Sequence, residues 1–237
     1  ISMNTIVTNM TLMRTVCNWV RKQGVTNNDP FFGYDMPKAL YGTPYFLTIQ
    51  ERDQVLDADL TDDAELAEYR DMFVFQCMVG CRHSDLVTFT PKNIIDGVLE
   101  YIPIKTKGKL GDVVRVPLIP KAMAILDGHD HGDDEPIFPK HYNFKFNDAI
   151  RRILKRAKVN RVVTVINPKT RLEEKKPISD VATSHLARRT FIGNLYRMVK
   201  DPDLVASMSG HAKGSVAFAR YRVIDDDMKK SLVELIQ

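Results

Sequence analysis

Apolar positions recur every three or four residues over most of this 237-residue chain, a spacing typical of amphipathic helices. Residues 9–23 follow this spacing and are succeeded by Gly24, which predicts a helix with a glycine stop. The stretch "TIQE", beginning at Thr48, has the form of a capping box and predicts a second helix start. A third, strongly apolar helix opens with acidic residues from Asp62, which suit its dipole, and ends at Gly80.

Two stretches switch to a strand-like pattern. A tight turn at Asp96 and Gly97 leads into predicted strands at Val98–Ile104 and Val113–Leu118, joined by a basic turn. A second hairpin turns at Asn167, and residues 184–237 return to helical spacing. The pattern therefore predicts a fold that is mainly α with a small peripheral antiparallel β-sheet.

Composition adds limits to this picture. With 44% hydrophobic and 27% charged residues, the chain has the composition of a globular protein. Because no apolar run approaches 18 residues and the start is unlike a signal peptide, we expect no membrane association and a cytoplasmic location. A stretch rich in Pro, Gly and Asn at 27–46 predicts a linker before a main domain at 47–237. The chain begins at Ile1, so we expect it to be excised from a longer protein.

The net charge of +4 is unevenly distributed. The segment 151–161, "RRILKRAKVNR", contains no acid, whereas 57–68, "DADLTDDAELAE", contains six acids and no base. Such a basic run is either a solvated helix face or part of a groove for a phosphate backbone. Charge alone does not decide between them.

Two short motifs place arginines in defined local settings. In "GCRHSDL", Arg82 follows the helix that ends at Gly80, Ser84 can cap a new turn, and Asp85 could hold the Arg82 guanidinium. In "SHLARRTF", a histidine and an arginine three positions apart share one face of a helix. Taken alone, Arg82 is better explained as an ordinary surface residue, and the histidine and arginine pair is also compatible with an ordinary surface helix.

Two further motifs carry a possible acid and a possible nucleophile. The hairpin turn "KTKGKLG" presents Lys105, Lys107 and Lys109, any of which could donate a proton, although such lysines are usually just solvated. In "SGHAKGSVAFARYR", His211 precedes Tyr221 by ten residues. A phenol has a pKa near 10, so Tyr221 would need other residues to activate it.

Together the candidates occur in the order arginine, lysine, His-x-x-Arg, Gly-His and tyrosine: Arg82, Lys105, His185, Arg188, His211 and Tyr221. This order resembles the catalytic domain of the tyrosine recombinases, the phage integrase family. The likeness runs from about Leu47 to the C-terminus and is carried by "GCRHSDL", "IKTKGKLGDVVRVPL", "TSHLARRTF" and "SGHAKGSVAFARYR". The hairpin "VINPKTRLEEKKPIS" is similar to that of conjugative-transposon integrases.

The resemblance also organises the rest of the chain. Residues 1–26 would be the last helix of an upstream core-binding domain, and "MKKSLVELIQ" would belong to a tail helix, from about residue 225, that packs on a neighbouring subunit. One departure concerns the tyrosine, which in the family usually follows the histidine by nine residues, whereas ten separate His211 from Tyr221. Gly214 could accommodate the extra residue, and Tyr221 is the only tyrosine after His211.

The chemistry implied by the resemblance is cleavage and rejoining of double-stranded DNA through a 3′-phosphotyrosine intermediate, without metal, ATP or other cofactor. Arg82 and Arg188 would bind the scissile phosphate, His185 and His211 would assist proton transfer, and the alignment of "KTKG" favours Lys105 as the acid. Recombination implies self-association, expected to be a tetramer on DNA, with accessory DNA-bending proteins as possible partners.

Three other functions stay open on the sequence. A type IB topoisomerase would use the same residues only to relax supercoils, and a non-catalytic DNA-binding regulator could share the scaffold. A metal site is a weaker alternative, since "DGHDHGDDEP" offers His129 and His131 without the spacing of a known metal motif. We expect this acidic loop to be a solvated connection.

Overall fold

The computed structural model of the chain describes residues 1–106, 113–129, 132–140, 142–199, 201–211 and 233. The helices within these residues are α1 (Met3–Lys22), α2 (Ile49–Leu56), α3 (Ala64–Val79), α4 (His83–Leu86), α5 (Pro120–Asp127), α6 (Asn143–Arg156), α7 (Ile178–Val181), α8 (Ser184–Val199) and α9 (Pro202–Ser209). The strands are β1 (Ile94–Ile95), β2 (Val98–Tyr101), β3 (Val114–Pro117), β4 (Val162–Ile166) and β5 (Glu173–Pro177).

The strands form two small sheets, so the predicted fold class is confirmed. The first sheet has the order β1-β2-β3 with antiparallel pairing, and β4 pairs with β5 in the second. Asp96 and Gly97 both have positive φ, as the predicted tight turn between β1 and β2 requires. In the register between β2 and β3, Leu99 lies opposite Val116 and Tyr101 opposite Val114.

The chain forms two compact units. The first comprises residues 1–43 together with 163–176, so the second hairpin groups with the N-terminal segment. Within this unit, the Met3 backbone N–H donates to the Pro168 carbonyl at 2.9 Å. The Asn4 side chain exchanges two hydrogen bonds with the Leu40 backbone. No residue of α1 is buried, and the assignment of residues 1–26 to a core-binding domain stays a prediction.

The second unit, residues 44–162 and 177–237, is built around α3. This helix is buried on nearly all sides, as a helix at the centre of a domain must be. It packs against α8, α6, α2 and α5. At its start the Asp63 side chain caps the helix by accepting from the Leu66 N–H, and the capping box at Thr48 and Glu51 is present at the start of α2.

Two predicted boundaries are wrong. Helix α1 begins at Met3, six residues earlier than expected, because the Ser2 hydroxyl caps it by accepting from the Thr5 N–H. Strand β2 ends at Tyr101 instead of continuing to Ile104. Pro103 has no N–H to give to a neighbouring strand, and the N–H of Ile104 donates to the Asp85 carboxylate.

The basic run on α6 lies against the acidic run that precedes α3. Arg152 contacts Asp63 at 2.7 Å, and Arg156 pairs with Asp62. On the same helix Lys155 contacts Asp180 at 2.8 Å. Much of the uneven charge in the sequence is therefore neutralised by ion pairs within the second unit.

Among the described helices, none has the length and apolar composition needed to cross a bilayer.

Gly80 ends α3 in the left-handed conformation, with φ of 70°. A Cβ built there would lie 2.2 Å from Cδ1 of Phe191, whereas a Cβ at Gly97, which has a similar φ, would meet nothing within 4 Å. We expect Gly80→Ala to lower the free energy of unfolding by about 3 kcal/mol, from left-handed strain plus overpacking. Gly97→Ala, with strain alone, should cost about 1 kcal/mol. Urea denaturation of both variants checks this, and equal losses would contradict it.

Candidate active site

Arg82 lies in the short connection between α3 and α4. The Gln76 side-chain amide donates to the Cys81 carbonyl at 3.0 Å and so holds this connection from within the core. Helix α4 begins at His83, which places Arg82 at its N-cap position. The prediction that Ser84 caps this helix is wrong. Ser84 is already inside the first turn, whereas a capping side chain must come from the residue before the helix.

Asp85 makes no direct hydrogen bond to the Arg82 guanidinium, in contrast to the sequence interpretation. The side chain is 1% exposed, and its Oδ1 accepts from the Ile104 N–H at 2.9 Å. Ile104 begins the 3₁₀ turn that carries Lys105. Because β2 ends before Ile104, the backbone N–H of Ile104 has no strand partner and needs an acceptor. The Asp85 carboxylate, 19 residues earlier in the chain, supplies it. Asp85 therefore positions the lysine turn.

Helix α8 brings His185 and Arg188 to the same region. Its first N–H, at Ser184, donates to the Asn147 side chain at 2.7 Å, so α6 fixes the start of α8. Arg188 is 1% exposed, and its Nη1 donates to the Gly80 carbonyl at 2.8 Å. The end of α3 and the Arg188 guanidinium are thus joined directly, although they are 108 residues apart in the chain.

His211 completes the contact on the other side of Arg188. Nη2 of Arg188 lies 3.0 Å from Nδ1 and 3.2 Å from Nε2 of the His211 ring. The buried Ser209 hydroxyl lies 2.9 Å from the same Nδ1. Gly210, in the left-handed conformation, ends α9 and packs closely on Val114 of β3, which brings His211 to the sheet.

Positive charge concentrates around the two histidines. Burial lowers the pKa of His211 to about 3, assisted by the charges of Arg188, Arg82, His185 and Lys105. The pKa of His185, which keeps an exposed edge, is lowered to about 4 by burial and by the charges of Arg189, Arg188 and Arg82. Five of the predicted site residues therefore interact electrostatically within one region: Arg82, Lys105, His185, Arg188 and His211. Their combined charge is suited to an anion.

The low pKa of His211 predicts an acid-sensitive fold. The unfolded histidine takes up a proton near pH 6.5 and the folded one only near pH 3, so stability falls as pH drops below 6.5 and is unaffected above it. His211 should change the free energy of unfolding by at most about 1.4 kcal/mol per pH unit. We expect His211→Gln to be less stable than wild type at pH 7 and to lose less stability between pH 6.5 and 5. Urea titrations at each pH measure this, and parallel losses would contradict it.

Three of the predicted positions cannot be placed. Tyr221 and the alternative acids Lys107 and Lys109 lie outside the described residues, as does the predicted tail helix apart from Val233. Lys105 is the lysine of the hairpin turn that lies within the described residues, and its charge acts on His211.

In the loop named as a metal alternative, the structure describes His129 but not His131. His129 packs edge-on against Phe138, with ring centroids 5.1 Å apart, and its Nε2 lies 3.7 Å from Oδ2 of Asp71. Within the described part of the chain, no three metal-binding side chains cluster.

Sequence reasoning missed several residues that build the site. Gln76, Ser209 and Tyr101 are buried polar side chains around the cation cluster. A polar residue inside a strongly apolar segment, such as Gln76 in "FVFQCMV", is a signal that could have identified them. Their partners, however, become evident only in three dimensions.

Several solved structures have the same fold. The Tn1549 transposon integrase in complex with transposon right end DNA has a TM-score of 0.65 and 16% identity, covering 99% of this chain and 79% of that one. The lambda integrase dimer bound to a COC′ core site has a TM-score of 0.60 and 16% identity, with 91% and 71% covered. XerA recombinase has a TM-score of 0.56 and 15% identity, with 85% and 66% covered. The chain thus corresponds to part of each of these proteins.

The fold is accordingly that of the tyrosine recombinase catalytic domain. A profile described as the phage integrase family matches residues 45–228, most of the chain. The protein therefore belongs to the phage integrase family of tyrosine-type DNA recombinases. No curated protein matches the sequence significantly.

Proposed function

We propose that the chain is the catalytic part of a site-specific recombinase or integrase that cleaves and rejoins double-stranded DNA through a 3′-phosphotyrosine intermediate, without metal or ATP. The observation that carries this proposal is the joining of Gly80, Arg188 and His211 into one hydrogen-bonded unit, with further positive charge from Arg82 and Lys105. A cationic cluster of this kind, built around the buried Arg188, favours binding of a phosphodiester.

In the proposed reaction the Tyr221 oxygen attacks the phosphorus, and the bond from phosphorus to the 5′ oxygen breaks. Negative charge grows on the two non-bridging oxygens. Arg82 and Arg188 offer planar forks of donors to these oxygens, and preorganised donors usually supply the largest catalytic term. Because Arg188 is held by the Gly80 carbonyl, its orientation is set before DNA arrives.

The Tyr221 proton passes to one of the histidines. Both have lowered pKa values, about 3 for His211 and about 4 for His185, so both are neutral at pH 7 and able to accept a proton. Binding of the anionic phosphate offsets the nearby positive charges and so raises both pKa values, which strengthens the bases when substrate is present.

Lys105 donates the proton that the departing 5′ oxygen needs. Its side chain is exposed on a turn anchored by Asp85, so it can reach a bound strand while its backbone stays fixed. The phosphotyrosine keeps the energy of the phosphodiester bond, and the 5′-hydroxyl of another strand reverses the attack without ATP.

The proposed partners follow from this reaction. Exchange of strands needs two duplexes, and we propose a tetramer on DNA held by the C-terminal tail helix, with accessory DNA-bending proteins where the target is long. Among the proteins of similar fold, lambda integrase occurs as a dimer on a core site and as a tetramer bound to a Holliday junction. We place the protein in the cytoplasm, at the nucleoid.

A library of duplexes with randomised cores and a single nick tests the function and identifies the target site in one experiment. The nick releases a short 5′-hydroxyl fragment after attack, so the covalent complex cannot reseal and survives SDS. We expect covalent complexes in excess EDTA and without ATP, and sequencing of the trapped DNA to give one preferred site. Loss of the complexes with chelator would sink the proposed mechanism.

Two follow-up assays separate the alternatives. Transfer of the trapped strand to a second duplex supports a recombinase, whereas relaxation of supercoils without transfer identifies a topoisomerase. Tight binding that yields no covalent product identifies a non-catalytic regulator.

A further inference from the structure

Besides Oε1 of Gln76, three buried polar atoms in or next to the cation cluster have no hydrogen-bond partner within the described part of the chain. They are Nη1 of Arg82, Oδ2 of Asp85 and the hydroxyl of Tyr101. Buried polar atoms in native proteins are nearly always paired, with protein or with ordered water. Three unpaired atoms around one site therefore require a physical explanation.

The Tyr101 hydroxyl lies among the residues of the site. Tyr101 is the last residue of β2 and is 6% exposed, with its ring 4.9 Å from the Phe89 ring in an edge contact. The charges of Arg188, Asp85 and Arg82 all act on its hydroxyl. Burial raises the pKa of Tyr101 far above its usual value, so the phenol keeps its proton and is a donor, not a nucleophile.

The chemistry of the three atoms matches one water molecule. The Arg82 nitrogen and the Tyr101 hydroxyl can each donate, and the Asp85 carboxylate oxygen accepts. A water accepts two hydrogen bonds and donates two, and a buried water typically makes about three. The hydrogen-bonding capacity of one water therefore equals what these three atoms together require.

We propose that Tyr101 is a positioning residue for Arg82: its hydroxyl and Oδ2 of Asp85 hold one buried water that accepts a hydrogen bond from Nη1 of Arg82. This inference rests on the proposed function, because it assumes that Arg82 binds the scissile phosphate. The water fixes one arm of the guanidinium, and the remaining N–H groups stay available to the phosphate.

The arrangement links two elements of the reaction through Asp85. Its Oδ1 holds the backbone of Ile104 and therefore the turn of Lys105, and its Oδ2 holds the water beneath Arg82. The phosphate-binding arginine and the proton donor are thus oriented from one carboxylate, with Tyr101 as the third support.

Tyr101→Phe tests the proposal. The substitution removes no hydrogen bond to protein, so we expect thermal stability equal to wild type or higher, and DNA affinity unchanged. Single-turnover cleavage should slow about 10-fold, the effect of losing one hydrogen bond that orients a transition-state contact. A matched control is Tyr69→Phe, another buried tyrosine, whose hydroxyl interacts with the Glu65 carboxylate. It should leave cleavage unchanged.

A double-mutant cycle and an NMR measurement separate positioning from a general structural role. Adding Tyr101→Phe to Arg82→Lys should cause no further slowing, because the residue that it orients has changed. The ¹H–¹⁵N signal of the Arg82 side chain, assigned with Arg82→Lys, should be ordered in wild type and broadened or mobile in Tyr101→Phe.

Additive effects on cleavage, an unchanged Arg82 signal, or loss of the folded state in Tyr101→Phe would each overturn the inference. The NMR comparison does not depend on activity. If wild type forms no covalent complex with DNA, the proposed function fails while the role of Tyr101 is still decided.

Discussion

Replacing Arg188 with alanine is expected to slow DNA cleavage by about 10³-fold or more, because the substitution removes both the proposed phosphate donor and the partner of His211. The Gly80 carbonyl would also lose its donor, and a buried cavity would remain. We expect a loss of about 3 kcal/mol in the free energy of unfolding from these two effects. Single-turnover cleavage and urea denaturation measure the two quantities independently.

Arg188→Lys distinguishes geometry from charge. A lysine keeps the positive charge, but its single ammonium cannot span the Gly80 carbonyl and His211 as the guanidinium fork does, so cleavage should still fall by about 10²-fold. The matched control is Arg189→Ala. The Arg189 guanidinium lies 5.1 Å from the centre of the Tyr45 ring, and losing a contact worth about 1 kcal/mol should slow cleavage by less than about 10-fold. Equal defects at the two positions would contradict the assignment.

Tyr221→Phe is expected to abolish the covalent complex entirely while DNA affinity stays within about twofold of wild type, since one hydroxyl contributes little to an interface dominated by phosphate contacts. The measurement compares SDS-resistant complexes with filter binding on the same nicked duplex. Tyr196→Phe serves as the control, as Tyr196 lies on α8 and should not affect trapping. Covalent complexes that persist in Tyr221→Phe would mean that another residue attacks.

The parts of the fold that the sequence predicted depend on contacts between near neighbours. The capping box at Thr48, the glycine stop at Gly80 and the turn at Asp96 each satisfy backbone groups within a few residues. The His-x-x-Arg spacing likewise gives a common helix face wherever a helix forms. Such features can be predicted because their energetics are local.

The parts that the sequence did not predict depend on contacts between distant residues. Nothing in "GCRHSDL" indicates that Asp85 accepts a direct hydrogen bond from the Ile104 N–H, because that contact depends on where β2 ends. The basic run on α6 was equally compatible with DNA, and its pairing with Asp62 and Asp63 depends on how α6 packs against α3. Long-range pairing of this kind is determined by the packed core.

The lowered pKa of His211 is a further property that depends on residues distant in the chain. It arises from burial and from cations contributed by α8, by the α3–α4 connection and by the lysine turn, none of which adjoins His211 in sequence. The sequence motifs name the cationic residues, but only the structure shows that their charges act on one histidine. This convergence of charge is also the property that the proposed phosphodiester chemistry requires.

The most direct test of the central claim is mass spectrometry of the covalent complex trapped on a nicked duplex in EDTA without ATP. After nuclease and protease digestion, we predict a nucleotide linked through a 3′-phosphate to the peptide that contains Tyr221. A nucleotide on any other residue, or DNA that is bound tightly yet never linked to the protein, would contradict this account.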